Sequence, residues 1–154
     1  MSGVEDYGAK LIMSDTVNWQ FGTKYKGDKY LVVISGNFYS GNCLEDGKWY
    51  SQGTVTAFCI DIVAYAGAKS IELVGADFAY PQNHSHAKGT MDDAEVDYSN
   101  MIKVKSVDGG DVYTDCVLSG YILDIESQID EHKDISFYNL SKNGAYIKGC
   151  KARK

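Results

Sequence analysis

The chain has 154 residues, is 44% hydrophobic and 23% charged, and carries a formal net charge of −6. That length suits one domain able to bury roughly 70% of the surface its unfolded chain exposes, and the composition excludes disorder. The negative balance excludes a nucleic-acid partner, because no basic block is available to neutralise backbone phosphates.

Only the tail, with Lys148, Lys151, Arg153 and Lys154, is locally basic, and it reads as a solvated terminus. No apolar run approaches the ~20 residues that span a bilayer. The opening MSGVEDYGAK has neither the basic n-region nor the apolar h-region of a signal peptide. A cytoplasmic protein without a membrane partner is expected, and the sequence is compatible with an oligomer. Cysteines at 43, 59, 116 and 150 include no C-x-x-C pair, so a cysteine-built zinc site is not expected. Cys59 and Cys116 fall in or beside helical segments and read as reduced, packed thiols.

In chain order, residues 10–14 (KLIMS) and 30–35 (YLVVIS) predict short strands, the second apolar throughout and suited to a buried position. Residues 36–50 form a loop rich in Gly, Asn and Tyr. A helix follows from Gly53 and Thr54, with Val55, Phe58, Cys59, Ile62, Val63 and Ala66 on one face and Gly67 as its stop. Residues 70–74 (SIELV) predict a buried strand ending at Gly75. Residues 102–107 and 112–114 around Asp108-Gly109-Gly110 predict a hairpin. A second amphipathic helix spans 115–132, with Val117, Leu118, Tyr121, Ile122, Ile125 and Ile129 as its stripe. A strand at 135–140 (ISFYNL), a turn at 141–144 and a short extended AYIKG close the chain. Strands alternating with helices predict an α/β fold with a mostly parallel sheet, flanking helices and a small β-hairpin.

The chemistry gathers between residues 51 and 90. Gly53 and Thr54 sit at a helix start, where free N–H groups and the helix dipole attract phosphate; the plainer reading is an ordinary cap. No G-x-G-x-x-G and no P-loop motif is present. Asp77 follows Gly75 at a strand end, where a carboxylate can orient sugar hydroxyls or accept a proton. His84 and His86 form an H-x-H pair. With Asp77 they could make a two-His, one-carboxylate set, but no fourth ligand is evident and no metal or other cofactor is expected. A general base or a phosphate-contacting imidazole is the better assignment for His86, with Lys88 as a nearby cation. Asp92, Asp93, Glu95 and Asp97 read as a solvated loop face.

These residues carry a resemblance. TVTAFCIDIVAYAGAKSIELVGADFAYPQNHSHAKGT, then IKVKSVDGGDVYTDCVLSGYILDIE, then FYNLSKNGAYIKGC resemble, in order, the motifs of the motility accessory factor family. That family is also named for its similarity to the archaeal 6-hydroxymethylpterin pyrophosphokinase. Its members show G-S-V near a helix start, V-G-Q-D-L-A-[YF] at a strand end, a hairpin, and a closing N-A-T-E-G-G-A. The resemblance covers residues 51–150. It implies a Rossmann-like fold related to bacterial CMP-dependent sialyltransferases. It also implies a glycosyltransferase domain that moves a nonulosonic, sialic-acid-like sugar from a CMP donor to flagellin Ser or Thr. Carried over, Gly53, Thr54, Gly75, His84, Lys88, Ser141, Asn143 and Gly144 would bind nucleotide and sugar, with Ala145 helping to close the site and Asp77 and His86 catalytic.

Three departures qualify the likeness. Lys142 stands where the family has Glu and Asn143 where it has Gly; Ala76 replaces Gln; and nothing before residue 30 resembles the family's G-P-S-L nucleotide loop. The single domain is therefore expected to be an incomplete one, resembling the C-terminal part of the family's. Two other functions stay open: a pterin pyrophosphokinase-like nucleotide-binding domain, and a non-catalytic carbohydrate-associated or assembly module using Tyr39, Trp49 and Tyr50.

Overall fold

The computed structural model describes residues 8–32, 54–86, 89–91 and 93–152. Gly53, Lys88, Asp92, Cys43, Arg153, Lys154 and the 36–50 loop with Tyr39, Trp49 and Tyr50 lie outside them. Among the described residues the protein is mixed α/β, with three helices and small, separate sheets. Its contacts divide into two compact units, Met1–Tyr50 and Ser51–Lys154.

In the first unit, β1 (Leu11–Ser14), α1 (Trp19–Lys24) and β2 (Lys29–Val32) form a β-α-β unit. The two strands pair in parallel, Leu11 opposite Lys29 and Ser14 opposite Val32. Asn18 caps α1 by accepting the Gln20 amide at 3.0 Å. The Lys29 ammonium donates to the carbonyls of Gly22 and Tyr25 at the other end. The apolar run at 30–35 is not buried throughout: Val32 is buried, while Tyr30 and Leu31 are exposed.

The second unit holds α2 (Val55–Tyr65), β3 (Ser70–Leu73), β4 (Ile102–Lys105), β5 (Asp111–Thr114), α3 (Cys116–Glu131), β6 (Ser136–Asn139) and β7 (Lys151–Ala152). β3, β6 and β7 form a parallel sheet in that order, with Ile71 opposite Phe137 and Leu73 opposite Asn139. β4 and β5 form the antiparallel hairpin expected around Asp108-Gly109-Gly110. The sheet buries one face only. In β3, Ile71 and Leu73 point inward while Ser70 and Glu72 are exposed, the period-two signature of a half-covered strand. Gly67, at φ +87°, accommodates the left-handed turn that stops α2.

α2 is rolled relative to its expected face. The residues turned inward are Ala57, Ile60, Asp61 and the partly buried Ala64, whereas Val55 is 77% exposed and Val63 and Cys59 are exposed too. The reason is a polar contact between the helices. Gln128 of α3 donates through Nε2 to the Asp61 carboxylate at 2.9 Å and to the Ala57 carbonyl at 3.0 Å. With apolar residues on nearly every side of α2, that pairing selects the face. Cys59 is consequently an exposed thiol rather than a packed one, and Cys116, at the start of α3, is exposed as well. α3 keeps most of its expected stripe, with Ile122 and Ile125 buried and Tyr121 and Ile129 partly so, but Val117 is exposed. No helix among the described residues is long and apolar enough to cross a membrane.

This assignment of faces predicts an asymmetry in urea unfolding. Ile60→Ala should lower the unfolding free energy by about 2–5 kcal/mol, and Val63→Ala by less than ~1 kcal/mol. Equal losses at the two positions would contradict it.

Candidate functional site

β3 and β6 run side by side, so the segments leaving their carboxyl ends emerge together, where open parallel sheets bind ligands. The backbone there is held by a short set of bonds. Leu140 N donates to Leu73 O at 2.9 Å and Ala145 N to Asp77 O at 2.7 Å. Gly144 makes the second bond attainable, since a Cβ at that position would lie 2.8 Å from Asp77 Cα. Asn139 ties off the turn after β6: its side chain accepts the Ser141 amide and donates to Ala145 O.

The segment after β3 is anchored along its length, in contrast to the loosely held polar loop its composition suggests. Thr114 Oγ1 donates to Phe78 O at 2.8 Å and Tyr80 N to Tyr113 O at 2.8 Å. The Tyr98 hydroxyl donates to Tyr80 O and accepts from Asn83 N, while its ring stacks on Tyr113. Phe78, Gln82 and Asn83 take positive φ values of 45°, 62° and 66°. Conformations of that kind cost of order 1–3 kcal/mol each and persist only where the surroundings impose them, as these bonds do.

The result is a cleft of about 620 Å³, within the usual size of small-molecule sites. Gly75, Asp77, Tyr80, His84 and His86 line it from the β3 side. Lys142 and Asn143 line it from the β6 side, and Leu118 from the first turn of α3. Asp77, His84, His86, Gly75 and Asn143 are thus brought together, and Lys142 joins them. Ser141 and Gly144 belong to the same turn but act behind the wall, Ser141 buried and Gly144 against Asp77. Thr54 is not among the lining residues. It is an ordinary cap, its hydroxyl accepting the Thr56 amide at 3.2 Å.

The two imidazoles differ. His84 Nδ1 lies 2.7 Å from Asp93 Oδ1, whose other oxygen accepts the Gly89 amide. Asp93 is therefore a partly buried staple and not part of a solvated face. His86 is exposed, with Nδ1 3.3 Å from Ser85 Oγ. Among the described residues no group of three or more His, Cys, Asp or Glu could hold a metal ion. The side chains of Asp77 and Lys142 have no hydrogen-bond or ion-pair partner among the described residues.

Tyr80 and Asp115 are participants that the sequence reading left aside. The Tyr80 hydroxyl donates to Asp115 Oδ2 at 2.6 Å, and Asp115 caps α3 by accepting the Leu118 amide at 2.7 Å. The Tyr80 phenol is pushed up to about 12, first by that hydrogen bond, then by burial and the carboxylate's charge. Burial opposes ionisation of Asp115, but the hydrogen bonds from Tyr80 and the helix amides outweigh it and hold the carboxyl below the ordinary value. An Asp immediately before an apolar helical run was the available sequence signal.

No family model, no curated protein and no solved structure matches this chain at a significant level.

Two predictions follow from this geometry. In difference spectra against Tyr80→Phe, the Tyr80 phenol should ionise near 12, and Asp115→Asn should bring it down toward its ordinary value. Because the folded value is raised, the neutral phenol's stabilisation is complete below pH ~10 and is lost as the pH climbs through about 12. An unchanged midpoint in Asp115→Asn would contradict the pairing. Gly144→Ala should destabilise the fold by about 1–3 kcal/mol in urea unfolding, through overpacking against the Asp77 backbone. A neutral outcome would contradict the close approach.

Proposed function

We propose that residues 51–150 form a Rossmann-like sugar-nucleotide site of the motility accessory factor type. In this reading the domain transfers a nonulosonic sugar from a CMP donor to a protein hydroxyl such as a flagellin Ser or Thr. One observation carries the reading: Asp77 and His86, after β3, share a cleft with Lys142 and Asn143, after β6, at the carboxyl ends of adjacent parallel strands.

In the proposed reaction the bond from the sugar's anomeric carbon to the phosphate oxygen breaks, and its electron pair leaves with CMP. The acceptor oxygen bonds to the anomeric carbon and its proton passes to a base. The transition state is oxocarbenium-like, so the catalyst must accept that proton and stabilise the departing phosphate. Asp77 suits the base, because its carboxylate has no partner among the described residues and its backbone is fixed by Ala145. His86, exposed at the cleft, suits contact with the phosphate or the acceptor.

A second reading, a carbohydrate-binding module without transfer, is favoured by one observation. Thr54, which the resemblance would set against the donor nucleotide, is a plain helix cap and is absent from the cleft lining.

Calorimetric titration with CMP, followed by assays of CMP-N-acetylneuraminate turnover, separates the readings. The transferase reading expects CMP to bind and Asp77→Asn to remove turnover while leaving the melting temperature nearly unchanged, since a polar group lining a cleft contributes little to packing. Binding of N-acetylneuraminate with no turnover by the native protein would favour the module. Absence of CMP binding would overturn the nucleotide site.

A further inference from the structure

We propose that Lys142 is the specificity residue of the cleft, selecting a ligand that is both polyhydroxylated and acidic. The inference rests on the sugar-nucleotide reading of the same cleft and adds the residue that recognises the ligand's anionic group.

Among the described residues five ionisable side chains line the cavity: Asp77, Tyr80, His84, His86 and Lys142, and the Tyr80 hydroxyl is committed to Asp115 at 2.6 Å. His84 Nδ1 is committed to Asp93 at 2.7 Å. His86 is in contact with Ser85. Asp77 and Lys142 are different. Each lines the cleft, and neither side chain has an ion-pair or hydrogen-bond partner among the described residues. They are also not paired with each other, although they carry opposite charges on facing walls of one cavity. The wall carrying Asp77 is fixed by Ala145 N to Asp77 O at 2.7 Å. The turn carrying Lys142 is fixed by the Asn139 side chain at the Ser141 amide, 2.9 Å. The backbone segments that carry the two charges are thus fixed by separate clamps.

A cavity with one open carboxylate and one open ammonium is complementary to a ligand with hydroxyl donors at one end and an anion at the other. A carboxylate accepts hydrogen bonds from sugar hydroxyls, and an ammonium supplies up to three donors to an oxyanion. A neutral sugar would leave Lys142 unused. An anion without hydroxyls would leave Asp77 unused and repelled. Either a carboxylate on the sugar or a phosphate of the nucleotide would satisfy Lys142.

The test titrates three probes into the native protein, Lys142→Ala and Lys142→Glu. These are CMP, N-acetylneuraminate, and N-acetylneuraminate methyl ester, which keeps the hydroxyls and loses the charge. Because Lys142 is exposed, all three proteins should melt alike. The expected result is a loss of affinity for an anionic probe of about tenfold or more in Lys142→Glu, a smaller loss in Lys142→Ala, and no change for the methyl ester. A loss confined to N-acetylneuraminate assigns Lys142 to the sugar carboxylate. A loss confined to CMP assigns it to the phosphate. Anionic probes that bind native protein and Lys142→Glu equally well would overturn this inference and leave the sugar-nucleotide reading standing. Failure of every probe to bind native protein would overturn both.

Discussion

A side chain on Gly144 would collide with the backbone of Asp77, so the chain leaving β3 and the chain leaving β6 approach to main-chain distance only because residue 144 has none. Much of the cleft depends on that approach. It lets Ala145 donate to Asp77 O, which fixes the strand-end carboxylate against the turn after β6. The same short segment then turns to the hairpin: Val107 N donates to Gly144 O, and Tyr146 N to Lys105 O. Sheet, hairpin and both lining segments are thereby joined through residues 144–146. A parallel pair of strands supplies two adjacent chain ends; this backbone contact keeps them facing one space.

The second support is polar and comes from the hairpin and α3. Thr114 and Tyr113, at the end of β5, bond the backbone of Phe78 and Tyr80, and Asp115 immediately after them caps α3 and receives the Tyr80 hydroxyl. Three consecutive residues therefore orient the cleft's floor, one side chain and a helix start. The positive φ of Phe78 persists within this set because Asp77 O on one side and Phe78 O on the other are both engaged. Strain maintained in this way is common at ligand sites, where a fixed geometry matters more than a relaxed one. The cleft's chemistry then depends on which charges remain uncommitted, and among the described lining residues the side chains of Asp77 and Lys142 have no hydrogen-bond or ion-pair partner.

Elements set by local signals were legible in the sequence. The strand at SIEL formed, although only one of its faces is buried; the hairpin around Asp108-Gly109-Gly110 formed as expected, and α3 kept its stripe apart from Val117. The convergence of Asp77, His86 and the turn after β6 also formed as expected, because the rule for parallel strand ends needs only the order of elements. Three features escaped. α1 is six residues long and contains a glycine, too short for a period to register. The inward face of α2 was hidden because it includes Asp61, and partners distant in sequence, Gln128 and His132, make burying that carboxylate favourable. Asp93 looked like one more member of an acidic run until His84 came within hydrogen-bond distance. In the last two cases the deciding contact is tertiary and leaves no local pattern.

The account centres on the claim that the space between the β3 and β6 chain ends is where a ligand binds. Amide chemical-shift mapping of the ¹⁵N-labelled protein during a CMP titration tests this most directly. The shifts should concentrate in residues 77–86, at Leu118 and in residues 142–145, with residues 102–106 of the hairpin little changed. Shifts centred instead on Glu95, Val96, Asp97 and Tyr98, in a separate depression, or on the Met1–Tyr50 unit alone, would contradict it.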